Sequence, residues 1–145
     1  MLFLKGGEIL KENIYKKVEY YLYNYKNINN KIDEIREDII DSVNISTHSH
    51  LIGKNSVEEQ AIKLAENKKI YNLRKIQKVI QHYLEVFRNR NPKRYNFIKM
   101  KYFDKATPLE IEKKLKYSAK QQKDITDMVV SFFYRQFKKA QIGGM

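Results

Sequence analysis

Eight apolar positions, Ile14, Val18, Tyr21, Tyr25, Ile28, Ile32, Ile35 and Ile39, step along the chain by 4, 3, 4, 3, 4, 3 and 4 residues. A stripe that returns about every 3.5 residues keeps facing a partner helix, because it stays in register with a slightly under-wound α-helix. The spacing predicts one long helix, or two stacked in line, packed in coiled-coil fashion. Its partner is either a second copy or a later helix of the same chain, so a homodimer through this N-terminal helix is one expectation. Tyr15, Tyr20, Tyr21, Tyr23 and Tyr25 crowd this segment. Tyr21 and Tyr25 lie on the seam and the others flank it, so they read as packing residues rather than a base-stacking platform.

The periodicity fails at "NISTHSHLIGKN", residues 44–55, where β-branched, Ser/Thr/Asn and Gly residues cluster, and a loop is predicted. Its His48 and His50 have no nearby carboxylate or third histidine and read as incidental loop residues rather than metal ligands. Ser56 with Glu59 three residues on is a capping-box signature. From there Ile62, Ala65, Lys69, Leu73, Ile76, Ile80, Tyr83 and Phe87 follow helical spacing, with Lys69 the imperfect member. This predicts a second long helix to about Phe87, folding back along the first so that both stripes are buried. With few glycines and prolines and no strict alternation, strands have little claim, and the class is all-α.

Charge is distributed unevenly. Residues 1–67 hold 9 Lys/Arg against 11 Asp/Glu, residues 68–101 hold 11 against 1, and residues 102–145 hold 9 against 5, within a total of +12. A concentrated positive field attracts polyanions through counterion release, which makes nucleic acid the leading partner class, ahead of an anionic membrane or an acidic protein, with double-stranded DNA the partner expected once the elements below are read. No cysteine is present, so disulfides, thiolate zinc sites and cysteine nucleophiles are excluded. A start with only four apolar residues before Lys5, and no run approaching a membrane span, lead to the expectation of a cytoplasmic protein with no membrane partner.

The last third has three shorter elements. After "RNRNPKR", Tyr95, Ile98, Met100, Tyr102 and Phe103 make an apolar helix ending near Asp104. Thr107, Pro108 and Glu110 then read as N-cap, first-turn proline and acidic first turn of a helix carrying Leu109, Ile111 and Leu115. Tyr117 and Ser118 close a turn, with Ser118 capping a final helix of Ile125, Met128, Val129, Phe132, Phe133 and Phe137. Two short helices across a three- to four-residue turn make a helix-turn-helix at about 107–135. The expected organisation is a coiled-coil-like extension and loop over 1–55, then a basic DNA-binding region over 56–145.

The segments "NKIDEIREDII", "EEQAIKLAENKKIYNLRKIQKVIQHYL" and "RYNFIKMKYFDKATPLEIEKKLKYSAKQ", in that order, resemble the RinA and ArpU group of phage late transcription regulators. The C-terminal half of that group is similar to sigma-factor region four. The likeness spans roughly residues 20–142, and it implies DNA binding, a role in switching phage or prophage genes in a bacterial host cell, and no catalysis. By position, Thr107 would cap the supporting helix and Ser118 the recognition helix, leaving Ala119, Lys120, Gln121, Lys123 and Asp124 to face the groove. The chain departs from the group in lacking early arginines and an aromatic in the last helix, in placing Gln122 at a usually apolar position, and in carrying Asp124 and Asp127.

Lysine can read guanine, glutamine adenine, and a carboxylate can accept from cytosine. Phosphate grip would fall mainly to Arg90, Lys93, Arg94, Lys99, Lys101 and Lys113. Two other readings stay open. One is a sigma-like or packaging-associated adaptor that holds RNA polymerase or a phage protein through the coiled coil, with weak DNA selectivity. The other is a helical interaction protein whose lysines only solvate it. No enzyme is expected: there is no glycine-rich phosphate loop, nucleophile elbow or HExxH helix, and Asp33 with Glu37 or Glu34 with Asp38 reads as a solvated face. No cofactor or metal is expected.

Overall fold

The computed structural model describes residues 2–3, 9–48 and 56–145, and most of them are helical. Two two-residue strands, β1 (Leu2–Phe3) and β2 (Ile9–Leu10), pair antiparallel with Leu2 opposite Leu10. They precede α1 (Glu12–Tyr23), a 3₁₀ turn (Tyr25–Asn27), α2 (Ile28–His48) and α3 (Ser56–Arg90). After these come α4 (Pro92–Ile98), a π-helical turn (Lys99–Phe103), α5 (Pro108–Leu115) and α6 (Ala119–Lys139). The fold is all-α apart from the strand pair. Among the described residues no helix is long and apolar enough to cross a membrane.

The heptad seam does not form one helix. Asn24 ends α1, with its backbone N–H and its side-chain Nδ2 both donating to the Tyr20 carbonyl at 3.0 and 2.8 Å. An asparagine amide competes for backbone carbonyls, and that chemistry leaves the 4-3 spacing untouched, so the spacing hides the break. All eight seam residues are nonetheless withdrawn from solvent, with Val18, Ile28 and Ile32 buried. At the far end, α2 continues through His48, where a loop is expected from residue 44. His50 and the rest of 49–55 lie outside the described residues.

Two compact units divide the chain differently from the boundary expected at 55/56. One comprises residues 1–26 with 76–145, the other residues 27–75. The first holds 21 Lys/Arg against 9 Asp/Glu and the second 8 against 8, so the whole net charge of +12 belongs to the first and the second is neutral. Residues 1–26 join the first unit because α1 lies against α6. The seam tyrosine Tyr21 stands edge-on to Phe137, with ring centroids 6.2 Å apart, and Tyr25 faces Phe103 at 5.5 Å. The α1 part of the seam therefore packs within the chain, against α6.

The core of this unit gathers Val18, Leu22, Ile76, Ile80, Phe97, Ile98, Tyr102, Ile111, Val129, Phe133 and Phe137, all essentially inaccessible. Each such side chain contributes on the order of 1.5–3 kcal/mol relative to exposure. The end of α6 is closed by a Schellman motif: Gln141 is left-handed (φ 58°), its N–H donates to Lys138 O, and the Ile142 N–H donates to Phe137 O while its side chain is buried.

In the neutral unit, α2 and the first half of α3 are linked where Arg74 donates to Asn29 Oδ1 at 2.9 Å, pairing the start of one helix with the later part of the other. The predicted stripe fails in this half of α3. Ile62, Ala65 and Lys69 are exposed, and Glu59, Lys63, Glu66 and Ile70 are the partly shielded residues instead. The stripe is correct only from Leu73 onward, where Ile76 and Ile80 enter the first unit's core. α3 also begins at Ser56 itself and runs to Arg90, three residues beyond Phe87.

Candidate nucleic-acid interface

The helix-turn-helix is built by two reciprocal caps. Thr107 Oγ1 accepts from the Glu110 N–H at 3.2 Å, and Glu110 Oε1 accepts from the Thr107 N–H at 3.4 Å. Ser118 Oγ accepts from the Gln121 N–H at 3.2 Å, and Gln121 Oε1 accepts from the Ser118 N–H at 2.8 Å. Each box satisfies backbone donors that a helix start leaves unpaired. Both caps stand at the residues expected, Thr107 and Ser118. Between them Lys116 turns the chain in the left-handed region (φ 62°, ψ 31°), and its N–H donates to Glu112 O at 2.9 Å.

Gln122 fixes how the two helices meet. It is 8% exposed, and its Nε2 donates to Pro108 O at 2.9 Å and to Tyr117 O at 3.1 Å. One buried amide thus ties the start of α5, the end of the turn and the first turn of α6. An apolar side chain would fill the space but leave that link unmade. Thr126 Oγ1 donates to Gln122 O at 2.7 Å one turn on. The turn is also held from α4, where Lys93 Nζ lies 4.5 Å from the Tyr117 ring centre and Phe97 meets the same ring edge-on.

Ala119, Lys120, Gln121 and Lys123 are exposed, and Asp124 is half-buried. Gln121 has its carbonyl oxygen engaged in the cap, which leaves its amide nitrogen as the group for a base. The exposed face is short. Asp127, the next acidic residue, accepts from Tyr15 OH of α1 at 2.7 Å, and Ser131 is buried. From Ile125 to Tyr134 no residue of α6 is exposed, so its open N-terminal portion is its first two turns, with Arg135, Lys138 and Lys139 exposed again near its end. Asp127 therefore faces a tyrosine of α1 rather than a phosphate path.

Alongside those turns runs a groove of about 350 Å³ lined by Tyr15, Glu19, Lys101, Pro108, Ala119, Gln122, Lys123 and Thr126. It brings together Lys101 of the expected phosphate set and Ala119 and Lys123 of the expected base-reading set. Arg90, Lys93, Lys99 and Lys113 are exposed on α3, α4, the π turn and α5, and Arg94 and Lys101 are half-buried. Lys101 shares the groove with Glu19, which accepts from Tyr102 OH at 2.8 Å.

Burial, and next the Glu19 carboxylate beside it, push the Tyr102 hydroxyl well above the usual phenol range. Burial, then the hydrogen bond to Asp127, do the same to Tyr15. Both carboxylates are held in place by phenols that stay protonated. Sequence reasoning missed Glu19, read Tyr15 only as a packing residue and Gln122 only as a departure from an apolar position, because each acts through a partner far along the chain or across the turn.

The carboxylate pairs of α2, Asp33 with Glu37 and Glu34 with Asp38, are exposed, as a solvated face would be. Among the described residues no group of three or more His, Asp or Glu stands close enough to hold a metal ion. No protein-family model matches the chain, and neither a curated protein nor a solved structure matches it.

Proposed function

We propose that this chain is a sequence-specific DNA-binding regulator of phage or prophage transcription, using α5 and α6 as a sigma-region-four-like helix-turn-helix. One observation carries the reading: the first two turns of α6 stand open, presenting Lys120, Gln121 and Lys123, on a unit that holds the whole net charge of +12. Lys120 and Lys123 suit guanine edges and the Gln121 amide nitrogen a base acceptor such as a purine N7, while Arg90, Lys93, Arg94, Lys99, Lys101 and Lys113 supply backbone grip. The rigid caps and the Gln122 link orient the helix before DNA arrives, so ordering it adds little entropic cost to binding.

The test is selection of bound duplexes from a random pool at physiological salt, followed by a salt titration on the enriched sequence. With about four to six phosphates neutralised, log K falls against log salt with a slope of about −4 to −5. Lys120→Ala or Gln121→Ala then relaxes individual base positions, while Lys113→Ala weakens all sequences alike and lowers the slope by about one. A flat salt response sinks the proposal. Binding without enrichment favours instead an adaptor that holds polymerase or a phage protein, a reading supported by the shortness of the open face and the acid within it.

A further inference from the structure

The first half of α3 carries a second stripe whose large apolar side chains are exposed among the described residues. Val57, Ala61, Leu64, Lys68, Tyr71 and Lys75 step by 4, 3, 4, 3 and 4, on the side of the helix opposite Glu59, Glu66 and Ile70. Val57 is 76%, Leu64 58% and Tyr71 64% exposed. On α2, Ile40 is 58% exposed among the exposed acids Asp33, Glu34, Glu37, Asp38 and Asp41. A seven-residue repeat of large apolar side chains on an outer face is the spacing a partner helix reads.

We infer that α2 and the first half of α3 form a self-association arm, in which the Val57–Leu64–Tyr71 stripe of one copy packs on the acidic face of α2, around Ile40, of a second copy. Charge selects this occupant. Residues 28–48 hold 2 Lys/Arg against 5 Asp/Glu and residues 56–75 hold 5 against 3, so each copy offers one acidic and one basic helix. A twofold contact repeats each pairing, α3 on the partner's α2 and the reverse, and so brings opposite charges together twice. Stacking α3 on its own copy would instead bring two basic helices together. The neutrality of this unit matters too, because two copies can approach through it without the repulsion that the +12 unit would add.

The proposal rests on the DNA-binding reading only for its use, which would be to set two modules on paired half-sites. Sedimentation of the full chain over a concentration series should show a dimer. Leu64→Glu and Tyr71→Glu, both at exposed positions, should abolish it at concentrations where the parent is dimeric while leaving the helical circular dichroism unchanged. The chain has no native cysteine, so contacts can be mapped directly. A mixture of Ile40→Cys and Leu64→Cys chains should form the mixed disulfide in excess over either self-linked product.

A monomer throughout overturns the proposal, as does a dimer indifferent to both glutamate substitutions. Predominance of the self-linked Leu64→Cys product overturns the α3-on-α2 pairing, and a stripe needed only to hold another protein gives the surface a different occupant. A monomer whose DNA binding keeps a steep salt slope fails this inference alone. A dimer with a flat slope fails the DNA reading alone.

Discussion

Gln122 offers the sharpest test of how the helix-turn-helix is held. Its Nε2 makes two hydrogen bonds, to Pro108 O and Tyr117 O, from a nearly closed environment. Each such bond contributes a net of about 0.5–1.5 kcal/mol. Gln122→Leu keeps most of the volume and loses both, so it should lower stability by about 2 kcal/mol, roughly a thirtyfold rise in the unfolded-to-folded ratio. Gln122→Ala adds a void and should cost about 3 kcal/mol. Gln122→Glu places an acceptor against two carbonyl oxygens and should be worst near neutral pH. Its carboxyl would be raised above the unfolded value, so part of the loss returns as pH falls and the group protonates in both states. Urea unfolding followed by far-ultraviolet circular dichroism reads all three. If Gln122→Leu is as stable as the parent, the position is an ordinary apolar one and the argument for a polar link fails.

Other outcomes follow from neighbouring features. Thr107→Ala and Ser118→Ala should each lower stability by about 1 kcal/mol in the same unfolding assay, since each removes one half of a capping box. Lys116→Gly should raise it by about 0.5–1 kcal/mol, because glycine adopts the left-handed conformation without the Cβ penalty. In a spectrophotometric alkaline titration, Tyr15 and Tyr102 should ionise after the exposed tyrosines and together with loss of helix. Their hydroxyls are raised in the folded state, so their contribution is fully present below a pH of about 10 and is lost as pH climbs past it. Tyr15→Phe should remove the lag of one group and cost about 1–2 kcal/mol, read by the same urea assay.

What could be read in advance was the local chemistry. The caps at Thr107 and Ser118 depend on side chains and backbone three residues apart, and both stand as expected. The seam from Ile14 to Ile39 marks the inward face correctly, yet it conceals the break at Asn24, since a 3₁₀ turn can interrupt a helix without disturbing apolar spacing. The stripe on α3 misleads in its first half because periodicity reports which residues share a face, not whether a neighbour covers it. Ile62 shows the error and Ile76 the success on one continuous helix. Tyr15 with Asp127 and Tyr102 with Glu19 join residues 112 and 83 positions apart, beyond any local signal.

The π-helical turn at Lys99–Phe103 has a meaning for descent as well as for structure. Its Asp104 N–H reaches back to Lys99 O at 2.9 Å, one residue farther than an α-helix would, so the turn accommodates an extra residue within the α4 register while keeping Tyr102 buried. A residue in an α-helix corresponds to a rotation of about 100°. Without the bulge an extra residue would turn everything that follows it, α5 and α6 included, by that angle; the wide turn absorbs it instead. A chain could thus gain or lose one residue between Lys99 and Phe103 by opening or closing the π turn, and the side chains of α6 would keep the direction they have.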